Sequence, residues 1–115
     1  MEEVVRNFKA LSDRNRLRIL KMLQARASLC VCEITEVLGC STPTVSNHLS
    51  ILVEAGLLAS EKDGRWVHYR LVREPKSPEA ASLLPLLQFW MSDDEQVKAD
   101  RVKLKTVSRD ILCKP

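Results

Sequence analysis

The sequence predicts one mainly helical domain with a single β-hairpin, arranged as a winged helix-turn-helix. A short helix, a glycine, a polar turn and a longer helix follow one another over about residues 32–56. The apolar spacing then changes from helical to alternating at about residue 58, on either side of an Asp63-Gly64 pair. Further amphipathic segments precede and follow this region. A chain of 115 residues has the length of one domain, so we expect a single unit over 1–115.

The helix-turn-helix is predicted from its capping residues and its apolar spacing. The first helix runs over about 32–38, and Gly39 follows where a left-handed residue ends a helix. The second helix runs over about 42–55 and is capped by Ser41 or Thr42. A second helix in this position can enter the major groove of DNA, and we interpret it as a recognition helix. Many helical hairpins share the pattern, so further support is needed.

That support comes from a predicted β-hairpin over about 58–72. Asp63-Gly64 is a favoured two-residue hairpin turn, because both turn positions take positive φ. Lys62 and Arg65 flank the tip of the hairpin. A basic hairpin directly after a recognition helix is typical of a wing, which lies along the phosphates or in the minor groove.

Apolar helices at both ends of the chain predict a homodimer. An amphipathic helix opens the chain, and C-terminal helices are expected over about 78–112. Pro85 is expected to kink or restart the first of these, and the run Ser92-Asp93-Asp94-Glu95 to begin the next. The alternative is that these helices only complete the core of the monomer. A dimer suits DNA binding, because two recognition helices one DNA turn apart read a palindrome.

The composition limits the possible functions. The formal net charge of +3 is compatible with a nucleic-acid partner but is weak support for one. No apolar run reaches the roughly 18 residues of a membrane helix, and the acidic N-terminus does not resemble an export signal. We therefore expect a cytoplasmic protein without membrane association. Four cysteines in such a chain indicate thiols or metal ligands more often than structural disulfides.

Cys30 and Cys32 are the candidate metal ligands. Residues two apart point about 200° apart on a regular helix but lie on the same side of an extended segment. One thiophilic ion therefore bridges both only if Cys30 lies outside the helix or the helix start unwinds. Soft thiolates select soft ions, and a helix N-terminus favours the thiolate. The alternative is buried packing of two small side chains. As a third ligand, Cys113 near the C-terminus ranks above Cys40.

DNA readout is assigned to polar positions of the recognition helix and to the wing tip. Asn47 can pair bidentately with adenine, and serine and threonine can bond bases or phosphates. Because this helix has no lysine or arginine, we expect phosphate attraction mainly from Arg14, Arg16 and the wing. His48 is equally explained as a packed side chain inside the hairpin. The predicted DNA-binding residues are Ser41, Thr42, Thr44, Ser46, Asn47, His48, Lys62 and Arg65.

Four segments resemble the ArsR/SmtB family of metal-responsive bacterial repressors. They are LSDRNRLRIL, LCVCEI, STPTVSNHLSILVEAGLL and KDGRWVHYRL, and the resemblance extends from about Phe8 to Leu71. LCVCEI is similar to the arsenic-sensing signature of the arsenical-resistance operon repressors. The resemblance implies a dimeric repressor without enzymatic activity or an organic cofactor. Such a repressor leaves its operator DNA when trivalent arsenic (arsenite) or antimony binds cysteine thiolates.

Two departures from the family pattern leave other functions open. Thr35 stands where the best-known arsenic sensors have a third cysteine. Other members bind zinc through histidine and acidic ligands on the last helices, a region that has no histidine here. The alternatives are a winged-helix repressor that senses thiol oxidation, another soft metal or a methylated arsenical. A small thiol enzyme and a pure protein-interaction module rank lower, because no acid/base pair is recognisable and the wing would be unexplained.

Overall fold

Six α-helices and a three-stranded antiparallel sheet make up residues 1–108, the part of the chain that the computed structural model describes. The elements are α1 (Glu2–Leu11), α2 (Arg14–Ala25), β1 (Leu29–Cys30), α3 (Val31–Leu38), α4 (Thr42–Glu54), β2 (Leu58–Asp63), β3 (Trp66–Leu71), α5 (Pro78–Leu86) and α6 (Glu95–Leu104). The predicted winged helix-turn-helix is confirmed: α3 and α4 form the helix pair, and β2 and β3 form the wing. None of the helices in the described part is long and apolar enough to cross a bilayer.

The helix-turn-helix begins and ends where its capping residues require. Gly39 follows α3 with φ of 73°, the left-handed conformation that glycine adopts without steric cost. Ser41 caps α4, and its Oγ accepts a hydrogen bond from the Thr44 N–H at 3.4 Å. Pro43 occupies the first turn of α4, where its missing N–H would have had no helical partner.

The core lies between α2, α3 and α4. Ile19, Ile34 and Leu49 are among the side chains with no exposed area, one from each of these helices. Burying a large aliphatic side chain stabilises a fold by about 1.5–3 kcal/mol. This shared core holds α4 at a fixed angle to its two supporting helices.

Asp13 joins α1 to α2 and caps the second helix. Its Oδ1 accepts hydrogen bonds from the backbone N–H groups of Asn15 at 2.8 Å and Arg16 at 3.1 Å. Burial alone would raise the pKa of this carboxyl, but the two N–H groups help to hold its pKa below the usual value. The carboxylate is therefore the form that the folded state prefers.

The sheet has the strand order β1-β3-β2, and β1 was not predicted. In this short strand Cys30 lies directly opposite His68 of β3. The wing turn also differs from the prediction, because Asp63 still pairs with Trp66 and the two turn residues are Gly64 and Arg65. Gly64 alone takes positive φ there, at 62°, so one glycine is sufficient for this turn.

Within residues 1–108, the C-terminal helices lie inside the predicted span of about 78–112, as α5 and α6. Ser77 caps α5, and Pro85 lies in its last turn, before a 3₁₀ turn over Leu87–Phe89. Asp94 caps α6, which ends at Leu104. Thr106 follows the helix, and its hydroxyl and N–H both donate to the Lys103 carbonyl, which favours a turn over a further helical bond. The predicted apolar residues Ile111 and Leu112 lie outside the described residues.

Candidate DNA interface and metal centre

The N-terminal half of α4 presents the polar side chains predicted to read DNA. Ser41, Thr42, Thr44 and Asn47 are exposed, and Ser46 is half-buried. Their exposure follows from the helical period, since the apolar residues between them face the core. This surface can donate and accept hydrogen bonds but carries no charged side chain over residues 41–47.

The wing tip lies beside the start of α4. Lys62 and Arg65 are exposed, and Arg65 lines a cleft of about 300 Å³ together with Thr42. The tip therefore adds two cations next to the uncharged face of the recognition helix. Arg14, at the start of α2, is also exposed.

His48 is packed inside the domain rather than exposed with the other predicted DNA-binding residues. Its side chain is 11% exposed, and its Nδ1 lies 3.1 Å from Arg16 Nη1. Arginine can only donate, so Nδ1 is the acceptor in this contact. Arg16 also donates to the carbonyls of Ala10 at 2.7 Å and Lys9 at 3.2 Å. Arg16 therefore links α1 to α4, and the expectation that it also attracts phosphates stays a prediction.

Cys30 lies outside the helix, as the two-residue spacing requires if one ion is to bridge both cysteines. It is the N-cap of α3, with extended φ and ψ of −87° and 161°, and is only 2% exposed. Cys32 is half-buried in the first turn of the same helix. Both cysteines line the cleft that Thr42 and Arg65 also line. The pair thus stands at the start of α3, between the recognition helix and the wing.

Glu33 holds the backbone of Cys30 in this position. The carboxylate is buried, and its Oε1 accepts a hydrogen bond from the Cys30 N–H at 2.8 Å. Its Oε2 lies 3.2 Å from Nη2 of Arg26. Arg26 in turn donates through Nη1 to the carbonyl of Leu104 at the end of α6, at 3.0 Å. A continuous chain of polar contacts therefore joins the first turn of α3 to the C-terminal helix.

His68 is a site residue that the sequence did not indicate. Its Nδ1 lies 3.9 Å from Cys30 Sγ, and its Nε2 lies 3.3 Å from Asp63 Oδ2. These residues are 38 positions apart in the chain, and only the pairing of β1 with β3 brings them together. The alternation of the wing placed His68 on a strand face, but no local signal identified its neighbour.

The remaining positions considered for the metal centre are Thr35, Cys40 and Cys113. Thr35, at the usual position of a third cysteine, donates its hydroxyl hydrogen bond to the Val31 carbonyl at 2.7 Å within its own helix. Cys40 lies in the turn before α4, where Asn15 Nδ2 approaches its sulfur at 3.6 Å. Cys113 lies outside the described residues. Within residues 1–108, no three histidine, cysteine or acidic side chains are already arranged around a metal position.

Comparison with known proteins identifies the family. Residues 13–60 match the family model described as "Bacterial regulatory protein, arsR family". The chain is 41% identical over 92 residues to the arsenical resistance operon repressor of Escherichia coli (strain K12), covering 80% of this chain and 76% of that protein. It is 45% identical over 92 residues to the cadmium resistance transcriptional regulatory protein CadC of Listeria innocua, covering 80% of this chain and 71% of that protein.

A solved structure shares both the architecture and part of the sequence. The homodimeric winged helix-turn-helix DNA-binding domain from Mycobacterium bovis, a possible ArsR-family regulator, superposes with a TM-score of 0.63 and 29% identity. The match covers 82% of each chain. The fold and these relatives are those of DNA-binding transcriptional regulators rather than enzymes. The chain therefore belongs to the arsR family of bacterial regulatory proteins.

Proposed function

We propose that this chain is a cytoplasmic, homodimeric repressor of an arsenic-resistance operon, released from its operator when arsenite or trivalent antimony binds Cys30 and Cys32. The observation that carries the proposal is the position of Cys30, which lies outside α3 at its N-cap while Cys32 lies in the first turn. Two thiolates so placed can turn toward one thiophilic ion. The similarity to the arsenical resistance operon repressor supports the same inducer. Cys113 remains our candidate for the third sulfur.

Operator recognition uses two surfaces with different tasks. The exposed hydroxyls and amide of α4, led by Asn47, read base edges in the major groove. Lys62 and Arg65 at the wing tip bind phosphates and supply affinity without reading sequence. Ser41, whose hydroxyl caps α4, contributes mainly by fixing the start of the recognition helix.

The dimer interface is assigned to the outer helices. Large apolar side chains are exposed on α1, at Val5 and Phe8, and beside α5, at Leu86 and Phe89, where Phe89 is 70% exposed. The two helices are neighbours, joined by a 2.7 Å hydrogen bond from Asn7 to Glu79. An exposed apolar surface of this kind favours burial against a second copy. The homodimeric relative from Mycobacterium bovis supports this assignment.

Ligand binding acts on DNA affinity through the first turn of α3. An ion that draws the sulfurs of Cys30 and Cys32 together must rotate this turn and disturb the hydrogen bond from the Cys30 N–H to Glu33. Since α3 supports α4 and is linked through Arg26 to the end of α6, both the recognition helix and the outer helices are affected. A coupling free energy of about 1–3 kcal/mol weakens operator binding 5- to 150-fold.

A second candidate inducer is cadmium, acting on the same repressor. The specific observation in its favour is the 45% identity to the cadmium resistance transcriptional regulatory protein CadC of Listeria innocua. Cadmium is thiophilic, so the same cysteine pair can bind it. The two inducers are distinguished by titration of one protein preparation.

The test is fluorescence anisotropy of the reduced protein on DNA from upstream of its own gene, titrated with arsenite and with cadmium. We expect arsenite to release the wild-type protein and the Cys40→Ser control, but not Cys30→Ser or Cys32→Ser. Loss of release in Cys113→Ser would identify the third ligand. Operator binding that arsenite does not disturb, or equal release of Cys30→Ser, would overturn the proposal. Release by oxidants alone would support a thiol-oxidation sensor in its place.

A further inference from the structure

Two cationic side chains, one on α2 and one on α6, lie near each other without a counter-charge. Lys21 of α2 is 2% exposed, and its Nζ donates to the carbonyl of Leu87 at 2.8 Å. Arg101 of α6 is half-buried, and its Nη2 approaches Gln24 Oε1 only to 3.4 Å. Within residues 1–108, no acidic side chain forms an ion pair with either cation.

One donor of this cationic pair is buried and has no acceptor. The Arg101 Nε–H is enclosed and makes no hydrogen bond with the described part of the chain. Buried charged groups are normally paired, because removing them from water is costly. Burial lowers the pKa of Lys21 below its usual value, and the positive charge of Arg101 lowers that pKa further. Residues 1–108 thus lack an anion that this position would accept.

The cationic pair borders an exposed apolar surface. Phe89, which is largely exposed, lies two residues after Leu87, whose carbonyl accepts the hydrogen bond from Lys21. Val102, the neighbour of Arg101 on α6, is 65% exposed. Large exposed apolar surfaces of this kind mark places where another protein binds. A partner that covers this surface brings its own side chains to the two cations.

The first turn of α1 carries the carboxylates that a second copy of the chain can present. Glu2 and Glu3 both lie in this turn. Glu2 precedes the exposed Val5 by three residues, and the two side chains line the same shallow cleft, so they share one face of α1. Glu2 is exposed and forms no ion pair within residues 1–108. The face of α1 assigned to the dimer interface therefore includes an unpaired carboxylate.

We propose that Lys21 and Arg101 form an intersubunit carboxylate site, which Glu2 of the partner subunit fills in the homodimer. The carboxylate accepts hydrogen bonds from the Arg101 guanidinium, including the Nε–H, and Lys21 adds positive charge behind it. The proposal rests on the proposed homodimer and adds the charged contact that sets its register. Arg6 and Lys9 follow on α1, so a shifted register that brings either of them to the site meets like charge.

This contact would also affect how the dimer is matched to its operator. Arg16 joins the end of α1 to His48 of the recognition helix. Two recognition helices must lie about one DNA turn apart to read a palindrome. A contact that fixes α1 against the partner subunit therefore fixes the distance between the two copies of α4.

The test measures the dimer dissociation constant of the reduced full-length protein by sedimentation equilibrium at low and high salt. We expect Arg101→Gln and Glu2→Gln each to weaken the dimer about 25-fold at low salt, because one pair contributes up to about fivefold and symmetry makes it occur twice. The double variant should be no weaker than either single variant. Lys21→Met should weaken the dimer less, since Lys21 acts through its charge behind the guanidinium.

Glu3→Gln and Lys103→Gln change exposed charges on the same two helices and are the matched controls, which should dimerise as the wild type does. Thermal unfolding followed by circular dichroism reports whether each variant is folded. High salt should weaken the wild-type dimer and leave that of Arg101→Gln nearly unchanged, because salt screens the ion pair.

The outcomes separate this site from the homodimer itself. Dissociation constants within twofold of wild type in Arg101→Gln, or losses that add in the double variant, would overturn the intersubunit site and leave the homodimer standing. If Asp110→Asn, in place of Glu2→Gln, removes the effect of Arg101→Gln, the carboxylate is a different one and the proposal is wrong. A wild-type protein that stays monomeric at micromolar concentration would overturn the homodimer and this site together.

Discussion

Replacing Glu33 with alanine should destabilise the fold by about 2–3 kcal/mol. The Cys30 N–H, in a residue that is 2% exposed, would lose the acceptor that Glu33 provides at 2.8 Å. An unsatisfied buried donor costs about 1–3 kcal/mol. The pair with Arg26 adds only about 0.5 kcal/mol, because the Arg26 side chain is 38% exposed and water screens the interaction.

Glu33→Gln separates the two contributions. Glutamine retains a carbonyl oxygen for the Cys30 N–H but removes the negative charge. A hydrogen bond to a charged group contributes about 1 kcal/mol more than one to a neutral group, so we expect a loss of about 1–1.5 kcal/mol. Glu36→Gln is the matched control, since Glu36 is exposed on the same helix and should change stability by less than about 0.5 kcal/mol.

Urea unfolding followed by far-ultraviolet circular dichroism measures these differences. All variants are compared at one protein concentration, because the proposed homodimer would make the apparent stability depend on concentration. A Glu33→Ala variant within 0.5 kcal/mol of wild type would refute the assignment of a buried N–H to this carboxylate. Equal losses in the alanine and glutamine variants would show that the amide oxygen does not replace the carboxylate.

Three further predictions concern the core, the first interhelical turn and the wing. Asp100→Asn should cost about 2 kcal/mol in urea unfolding, because Asp100 is 6% exposed and receives two 2.9 Å bonds from Arg18, of which the amide keeps one. Asp13→Ala should cost about 1 kcal/mol at pH 7 as a lost N-cap. Since the pKa of Asp13 is lowered in the folded state, this difference should shrink as the pH falls through that pKa, below about 4. Lys62→Ala and Arg65→Ala should each reduce the slope of log affinity against log salt concentration by about 1, measured by operator anisotropy.

Each of these has a control and a contradicting outcome. Glu95→Gln, at an exposed position at the start of α6, is the control for Asp100→Asn, and equal losses in the two variants would contradict a buried ion pair. A stability difference for Asp13→Ala that does not change from pH 7 to pH 2 would exclude a role for the charge. Lys98→Ala, an exposed cation on α6, should leave the salt slope unchanged. An equal change in slope for Lys98 would assign the effect to net charge rather than to the wing.

The sequence predicted the helix-turn-helix well because its boundaries depend on local chemistry. Gly39 and Ser41 determine where α3 ends and α4 begins through their own backbone and hydroxyl, without help from distant residues. The wing was also predicted from a local pattern, the alternation of its side chains along each strand. The position of its turn at Gly64 and Arg65 was not predicted. An Asp-Gly pair does not by itself show which flanking residues form the last pair of the two strands.

The parts that the sequence did not predict depend on contacts between distant segments. The pairing of Cys30 with His68 requires a two-residue strand that is too short to produce a periodic signal. The hydrogen bond between Arg16 and His48 joins residues 32 positions apart, and charged side chains on a helix are usually solvated. These contacts depend on how distant segments pack together, and the sequence of one segment does not show that packing.

Cys30 ends a strand and caps the next helix, so no flexible residue separates the sheet from α3. A linker of even two loose residues would absorb a displacement of the sulfur before it reached either neighbour. Without such a linker, a displacement of the Cys30 sulfur is transmitted to both β1 and α3. How far each of them moves depends on how rigid it is. Residues that never touch the ligand, in the β1–β3 pairing or in the first turn of α3, should therefore set the dose at which the regulator responds. Two glycines inserted between Leu29 and Cys30 should separate Cys30 from β1 and weaken inducer-dependent release, measured by operator anisotropy.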